Sequence, residues 1–189
     1  VRPGDRVAIM MPNVPQYPVT VAAVLRAGFV VVNVNPMYTP AELRHQLCDS
    51  GAETIIIFDG STPALAEIIA ETPVKTVIAV ALGDAAGMDV ASPAPDPRLA
   101  GAVRFADVLA AGDRPALTPV ALTGDDLLFF QYTGGTTGPS KGALLSHRNM
   151  VANVEQFTAH MRDAIEPGKE VIVLALPLYH IFGLMQLYV

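Results

Sequence analysis

Cysteine is nearly missing. Cys48 is the one thiol in 189 residues, which excludes an internal disulfide and a cysteine metal cluster and suits a reducing, cytoplasmic compartment. Between Leu47 and Asp49 it reads as a small residue on a helix face rather than a reactive thiol. Positive charge is sparse as well. Twelve Lys and Arg against eighteen Asp and Glu leave a formal charge of −6, and the cations are scattered, so the clustered basic surface that nucleic acid requires is excluded. No apolar run is long enough to cross a bilayer. The most apolar region, residues 14–34, is broken by Pro15, Pro18, Arg26, Gly28 and Asn33 and reads as a helix followed by a strand. A basic amphipathic helix, the usual mark of a membrane-surface anchor, is also lacking. There is no internal repeat, and no signal peptide is visible, although a start lying upstream would hide one.

What is present is an alternation of patterns. Residues 6–11, 30–34, 52–58 and 76–80 are short β-rich runs, and residues 14–27, 40–50 and 63–71 between them carry helical patterns. Thr39 followed by Glu42 predicts a capping box at the start of the second helix. Strands alternating with helices predict an α/β fold, a parallel-type sheet with helices on both faces. The alternation stops at residues 82–99, where Gly, Ala, Asp and Pro dominate and PAPDP at 93–97 predicts an exposed loop, mobile or disordered. Residues 105–111 read as a short helix and 115–124 as a connector. Asp125 and Asp126 read as the start of a strand over 127–132, because two adjacent carboxylates without further ligands make a weak metal site. Ser146 predicts the N-cap of a helix to about Met161, and residues 170–175 predict one more strand. A chain of this length buries one core, or one core with an unfinished second lobe.

The densest chemistry lies in YTGGTTGPSKG, residues 132–142, where four glycines, three threonines and one lysine share eleven positions. Small residues let a ligand approach backbone N–H groups, and hydroxyls with an ammonium add donors for a multiply charged oxyanion. A phosphate cradle is the natural reading. The Walker A pattern fails here: Lys141 follows Ser140 and precedes Gly142, so the Gly-Lys-Ser/Thr ending that opens a helix is missing and a P-loop NTPase is disfavoured. With apolar runs on both sides, the loop is expected to join strand to strand, leaving little part for a helix dipole.

QYTGGTTGPSKGALLSHRNM, residues 131–150, closely resembles the signature of the acyl-adenylate-forming enzymes, and Gln131, the Gly134-Gly135 pair and the tail SHRNM look most like bacterial long-chain fatty-acid–CoA ligases. VRPGDRVAI at the start, LRAGFVVVNVNP from Leu25, the region 38–51 and LPLYHIFG at 176–183 resemble the same family in the right order. Two departures stand out. Gly134 occupies a place where many members have serine, and Pro139 sits one position early before the lysine.

The resemblance implies layered parallel-type sheets forming part of the large N-terminal domain of an acyl-CoA synthetase: residues 1–80 an α/β subdomain, 81–124 a variable loop and connector, 125–189 the start of a second subdomain. It implies an ATP-dependent, AMP-forming ligase that activates a medium- or long-chain fatty acid as an acyl-adenylate and passes it to coenzyme A. The apolar stretch after Gly183 has no stop signal, so the chain is expected to be a piece of a longer enzyme, inactive alone, with the C-terminal domain and its catalytic lysine elsewhere. Thr133, Gly134, Gly135, Thr136, Thr137, Gly138 and Lys141 are the expected phosphate-binding residues, with Thr136 a ligand for Mg2+. The carboxylate partner of that ion is expected beyond Val189. His180 reads on its own residues either as a satisfied, half-buried histidine or as a site residue; the resemblance places it between the acyl pocket and the α-phosphate. Tyr179 and Phe182 read as core or pocket wall, His147 and Arg148 as solvated first-turn residues, and His45 and His160 take no role. An adenylation domain for amino or aryl acids, and a non-catalytic nucleotide- or lipid-binding module, are the alternatives. Peripheral contact at the inner membrane and a homodimer remain open partners.

Overall fold

The computed structural model describes residues 3–84, 90–112, 118–133, 139–166 and 168–186. Its framework is one seven-stranded sheet ordered β5-β4-β3-β1-β2-β6-β7. The first strands and helices alternate as expected: β1 (Arg6–Met10), α1 (Gln16–Arg26), β2 (Val30–Asn33), α2 (Pro40–Ser50), β3 (Thr54–Phe58), α3 (Thr62–Ile68) and β4 (Thr76–Val80). Then come β5 (Val103–Arg104), α4 (Phe105–Gly112), β6 (Leu127–Thr133), β7 (Lys141–Ser146), α5 (His147–Met161) and α6 (Ile181–Met185). Every pairing is parallel except β6 with β7, which are antiparallel. β6 joins the same sheet as the first five strands, beside β2.

Helices cover both faces because the strands are apolar at successive positions, and alternate side chains point to opposite sides. Val7, Ile9, Val31, Ile56 and Val80 pack with Tyr17 and Val21 of α1, Phe105 of α4 and Met150 of α5. Ala8, Met10, Val32, Ile55 and Ile57 pack on the other side with Leu43 and Leu47 of α2 and Leu65 of α3. α2 starts as its sequence dictates. The Glu42 N–H donates to Thr39 Oγ1 at 3.4 Å and the Thr39 N–H donates to Glu42 Oε2 at 2.9 Å, a reciprocal cap that satisfies two N-terminal donors. Ser146 and Asn149 cap α5 in the same way.

Two expectations change. Residues 170–175 do not form a strand. The apolar, β-rich run is there, but Val171 and Val173 are 91% and 81% exposed, and β7 closes the sheet at that side among the described residues. A strand needs a partner edge, which a β-rich run cannot specify by itself. The segment's carbonyls at Leu174 and Leu176 instead accept from the Asn13 amide, at 3.1 and 2.8 Å. The loop at 93–97 is mostly exposed, as expected, yet it is tied down rather than loose: the Asp96 N–H donates to Thr62 Oγ1 at 2.9 Å, and Leu99 is buried just beyond. Residues 85–89 of the preceding stretch lie outside the described residues.

Candidate functional site

The glycine-threonine segment connects the antiparallel strands β6 and β7. Register runs from Phe129↔Leu145 to a last pair, Thr133↔Lys141, so the hydroxyl and the ammonium stand on the two sides of the loop's mouth. Both residues are exposed, and Lys141 forms no ion pair among the described residues. Gly134, Gly135, Thr136, Thr137 and Gly138 lie outside the described residues. The mouth opens at the carboxyl end of β6, the edge of a parallel sheet where ligands gather in open α/β folds.

α2 grips the hairpin from one side. The Tyr132 phenol donates to Asp49 Oδ2 at 2.5 Å, and burial, followed by that bond, pushes its pKa above the ordinary tyrosine range. Gly142 faces Tyr132 across the hairpin, and a Cβ there would lie 3.0 Å from the ring carbon Cζ. The absence of a side chain at 142 therefore lets the ring lie across the strand towards α2. At the other end of the loop, His45 Nε2 sits 3.0 Å from the Ser140 carbonyl oxygen. Since a carbonyl only accepts, Nε2 carries the proton. In the sequence His45 has no partner at metal spacing and takes no role; only folding brings it to a residue 95 positions away.

His180 caps α6. Its Nδ1 accepts the Phe182 N–H at 3.3 Å, so a neutral ring carries its proton on Nε2 and presents a donor on its far edge. The turn before it is built from three fixed points. The His180 N–H donates to the Pro177 carbonyl at 3.0 Å, the Leu178 N–H donates to Asn13 Oδ1 at 2.9 Å, and Asn13 Nδ2 donates to the Leu174 and Leu176 carbonyls. Gly183 packs so tightly against this turn that a Cβ would lie 2.3 Å from the Pro177 carbonyl oxygen. Asn13 was missed in the sequence. The available signal was a lone amide just beyond the carboxyl end of the first strand, where parallel sheets place polar functional groups.

One contact joins the two halves. Gln131, on β6 two residues before the loop mouth, donates from Nε2 to the Tyr179 carbonyl at 3.1 Å. Beyond His180, an apolar groove of about 610 Å³ runs between α5 and α6, lined by Met150, Phe157, Ile172, Ile181, Phe182 and Met185 among others. Asp125 and Asp126 are occupied elsewhere: Asp125 pairs with Arg148 at 2.9 Å, and Asp126 accepts the Thr123 N–H and hydroxyl. No group of three or more His, Cys, Asp or Glu among the described residues could hold a metal ion. No described helix is long and apolar enough to cross a membrane.

The AMP-binding enzyme family matches residues 1–189. A long-chain-fatty-acid–CoA ligase of Salmonella typhimurium is 48% identical over 192 residues, which cover 96% of this chain and 34% of that protein. The ligase of the same description from Bacillus subtilis is 33% identical, with the same coverage of 96% and 34%. The chain thus spans about a third of the length of these relatives. Among solved structures, a long-chain-fatty-acid–CoA ligase from Archaeoglobus fulgidus matches with a TM-score of 0.73 at 27% identity, over 99% of this chain and 34% of that one. ATP-bound MatB from Rhodopseudomonas palustris matches with a TM-score of 0.74 at 29% identity, over 98% and 32%.

Proposed function

Because the chain belongs to the AMP-binding enzyme family, we propose that it supplies the phosphate-holding and carboxylate-orienting part of an ATP-dependent fatty-acid–CoA ligase. A carboxylate does not react with a thiol directly, since its leaving group would be oxide. Attack of a carboxylate oxygen on the α-phosphorus of ATP breaks the α–β phosphoanhydride bond, giving acyl-adenylate and pyrophosphate. Coenzyme A then attacks the acyl carbon through sulfur and expels AMP. The first step gathers negative charge on the departing β- and γ-phosphates, so electrostatic stabilisation is the main demand on the protein.

Thr133, Thr136, Thr137 and Lys141, with the backbone N–H groups of Gly134, Gly135 and Gly138, are the proposed holders of those phosphates. Mg2+, which neutralises phosphate charge when bound, prefers oxygen ligands. The hydroxyl-rich, thiol-free composition of the hairpin fits it, and Thr136 is its proposed ligand from this chain. His180 is proposed to orient the acid through Nε2–H. The groove past Phe182 is proposed to take the acyl chain, its apolar lining favouring an alkyl chain over a charged amino acid. Residues 125–189 are proposed to open a second subdomain that is built out from β6 and β7, the two strands they contribute to the first sheet. A cytoplasmic enzyme with peripheral contact at the inner membrane, and a homodimeric state, belong to the same reading.

The observation that carries this proposal is the meeting of the Thr133–Lys141 mouth and the His180 turn at the end of one strand, β6. Its test is substrate-dependent ATP–pyrophosphate exchange by the full-length protein with a panel of carboxylic acids. Exchange with fatty acids, lost in folded Lys141→Ala and Thr136→Ala variants, supports the assignment. Exchange with amino or aryl acids alone moves it to a different adenylation class, and no exchange with any acid sinks it.

A further inference from the structure

We propose that Gln131 is a positioning residue that sets His180 relative to the phosphate-loop mouth, acting through a one-way chain of buried hydrogen bonds; this rests on the reading of His180 given above. Four groups form the chain. Tyr17 Oη lies 2.7 Å from Asn33 Oδ1, Asn33 Nδ2 lies 2.9 Å from Gln131 Oε1, and Gln131 Nε2 lies 3.1 Å from the Tyr179 carbonyl oxygen. All three side chains are buried. Asn33 and Gln131 are register partners on β2 and β6, and Tyr17 comes from α1 on the same face of the sheet.

The direction of every bond follows from its last member. The Tyr179 carbonyl only accepts, so Gln131 must turn its NH2 towards it and its Oε1 towards Asn33. Asn33 must then present NH2 to Gln131 and Oδ1 to Tyr17, whose hydroxyl donates. A second bond steadies the same strand: Gln46 Nε2 of α2 donates to the Asn33 carbonyl at 2.7 Å. Buried amides are costly to leave unpaired, so the chain defines one separation between the end of β6 and the Tyr179 backbone. His180 follows that carbonyl by a single peptide, and Thr133 follows Gln131 by two residues. The hairpin itself is held independently, by Asp49 and His45 of α2, so loss of the Gln131 amide should move the His180 turn and leave the phosphate side in place.

The test uses ATP–pyrophosphate exchange by the full-length enzyme with a fatty acid, for Gln131→Met, Gln131→Glu, His180→Ala and the double variant Gln131→Met/His180→Ala. The glutamate variant keeps the shape and still accepts from Asn33. Its neutral carboxyl can also donate to Tyr179, so it is compared at the low and high ends of the assay's pH range, where only the ionised form offers Tyr179 no proton, and it tests the claim even if the methionine variant fails to fold. In either Gln131 variant kcat should fall roughly tenfold, in keeping with the cost of sub-ångström misplacement, while KM for ATP stays within about twofold. In the His180→Ala background, Gln131→Met should lower kcat no further, because the two act as one unit. Folded Gln131 variants with unchanged kcat, beside an impaired His180→Ala, overturn the positioning role and spare the assignment of His180. Additive losses, or a rise in KM for ATP matching the fall in kcat, overturn it in favour of general structural support. An unimpaired His180→Ala overturns both readings.

Discussion

The phenol of Tyr132 donates to the carboxylate of Asp49 at 2.5 Å, tying the strand that enters the glycine-threonine loop to α2, the helix that follows the neighbouring strand β2. Asp49 is exposed, so its carboxylate can recover water when the partner is removed. Tyr132→Phe should therefore cost only about 1 kcal/mol, read from urea denaturation of the full-length protein, and should raise KM for ATP severalfold.

The same bond carries a pH signature. The folded phenol is held above its ordinary pKa by burial and by Asp49. Below about pH 10 Tyr132 is protonated in both folded and unfolded chains, and its contribution is complete. Above that, the unfolded chain ionises first and stability falls as pH rises through the folded value. The stability gap between wild type and Tyr132→Phe should stay constant from about pH 7 to 9 and shrink above about pH 10; a gap that widens there would reverse the assignment.

Gly183→Ala forces a methyl group towards the Pro177 carbonyl, where the Cβ would sit 2.3 Å from oxygen. That atom is backbone and cannot swing aside. We expect a loss of about 1 to 3 kcal/mol, typical of overpacking, together with a fall in exchange activity larger than for a surface glycine such as Gly101→Ala, where no atom lies within 4 Å.

Asn13 holds the His180 turn by two donated bonds and one accepted bond. Asn13→Ala should loosen it by about 1 to 2 kcal/mol and raise KM for the fatty acid. Asn13→Asp should do no better, since a carboxylate keeps the acceptor for Leu178 but faces the Leu174 and Leu176 carbonyls with oxygen. Steady-state kinetics on the folded variants decides the order.

Arg104 and Asp59 make a two-pronged ion pair, 2.9 and 2.8 Å, in which the Asp59 side chain is 2% exposed and that of Arg104 35%. Arg104→Met strands a buried carboxylate. Allowing for water at the guanidinium, the cost should be about 2 to 3 kcal/mol. Lys75→Met breaks an exposed pair with Glu53 and should cost under about 1 kcal/mol. Equal losses in urea titrations would contradict the burial argument.

The helices and strands were legible wherever the chain signals its own local geometry. Thr39 with Glu42, and Ser146 at the head of α5, mark their caps within a few residues, and Ile55, Ile56 and Ile57 can scarcely be anything but a buried strand. The hairpin nature of the loop was also legible, because the apolar run after Lys141 starts without a helical signal. Residues 170–175 misled for a physical reason: β-branched, apolar residues make a segment fit for a strand, while the strand's existence depends on an edge to bond to.

The candidate site divides along the same line. Residue types in sequence could mark Thr133, Lys141 and His180, because close backbone approach, hydroxyl donors and a titratable ring are properties of single residues and short stretches. Which groups hold them is decided by contacts across 48 to 165 positions, from Gln131 to Tyr179 and from Asn13 to Leu178. Composition and order determined that this is an α/β chain with a phosphate-type loop, since those follow from propensity, period and local chemistry. The sheet order alone decided that Tyr17, Asn33, Gln131 and Tyr179 line up behind His180, because hydrogen bonds form between neighbours in space, and strand adjacency is settled only when the whole sheet packs.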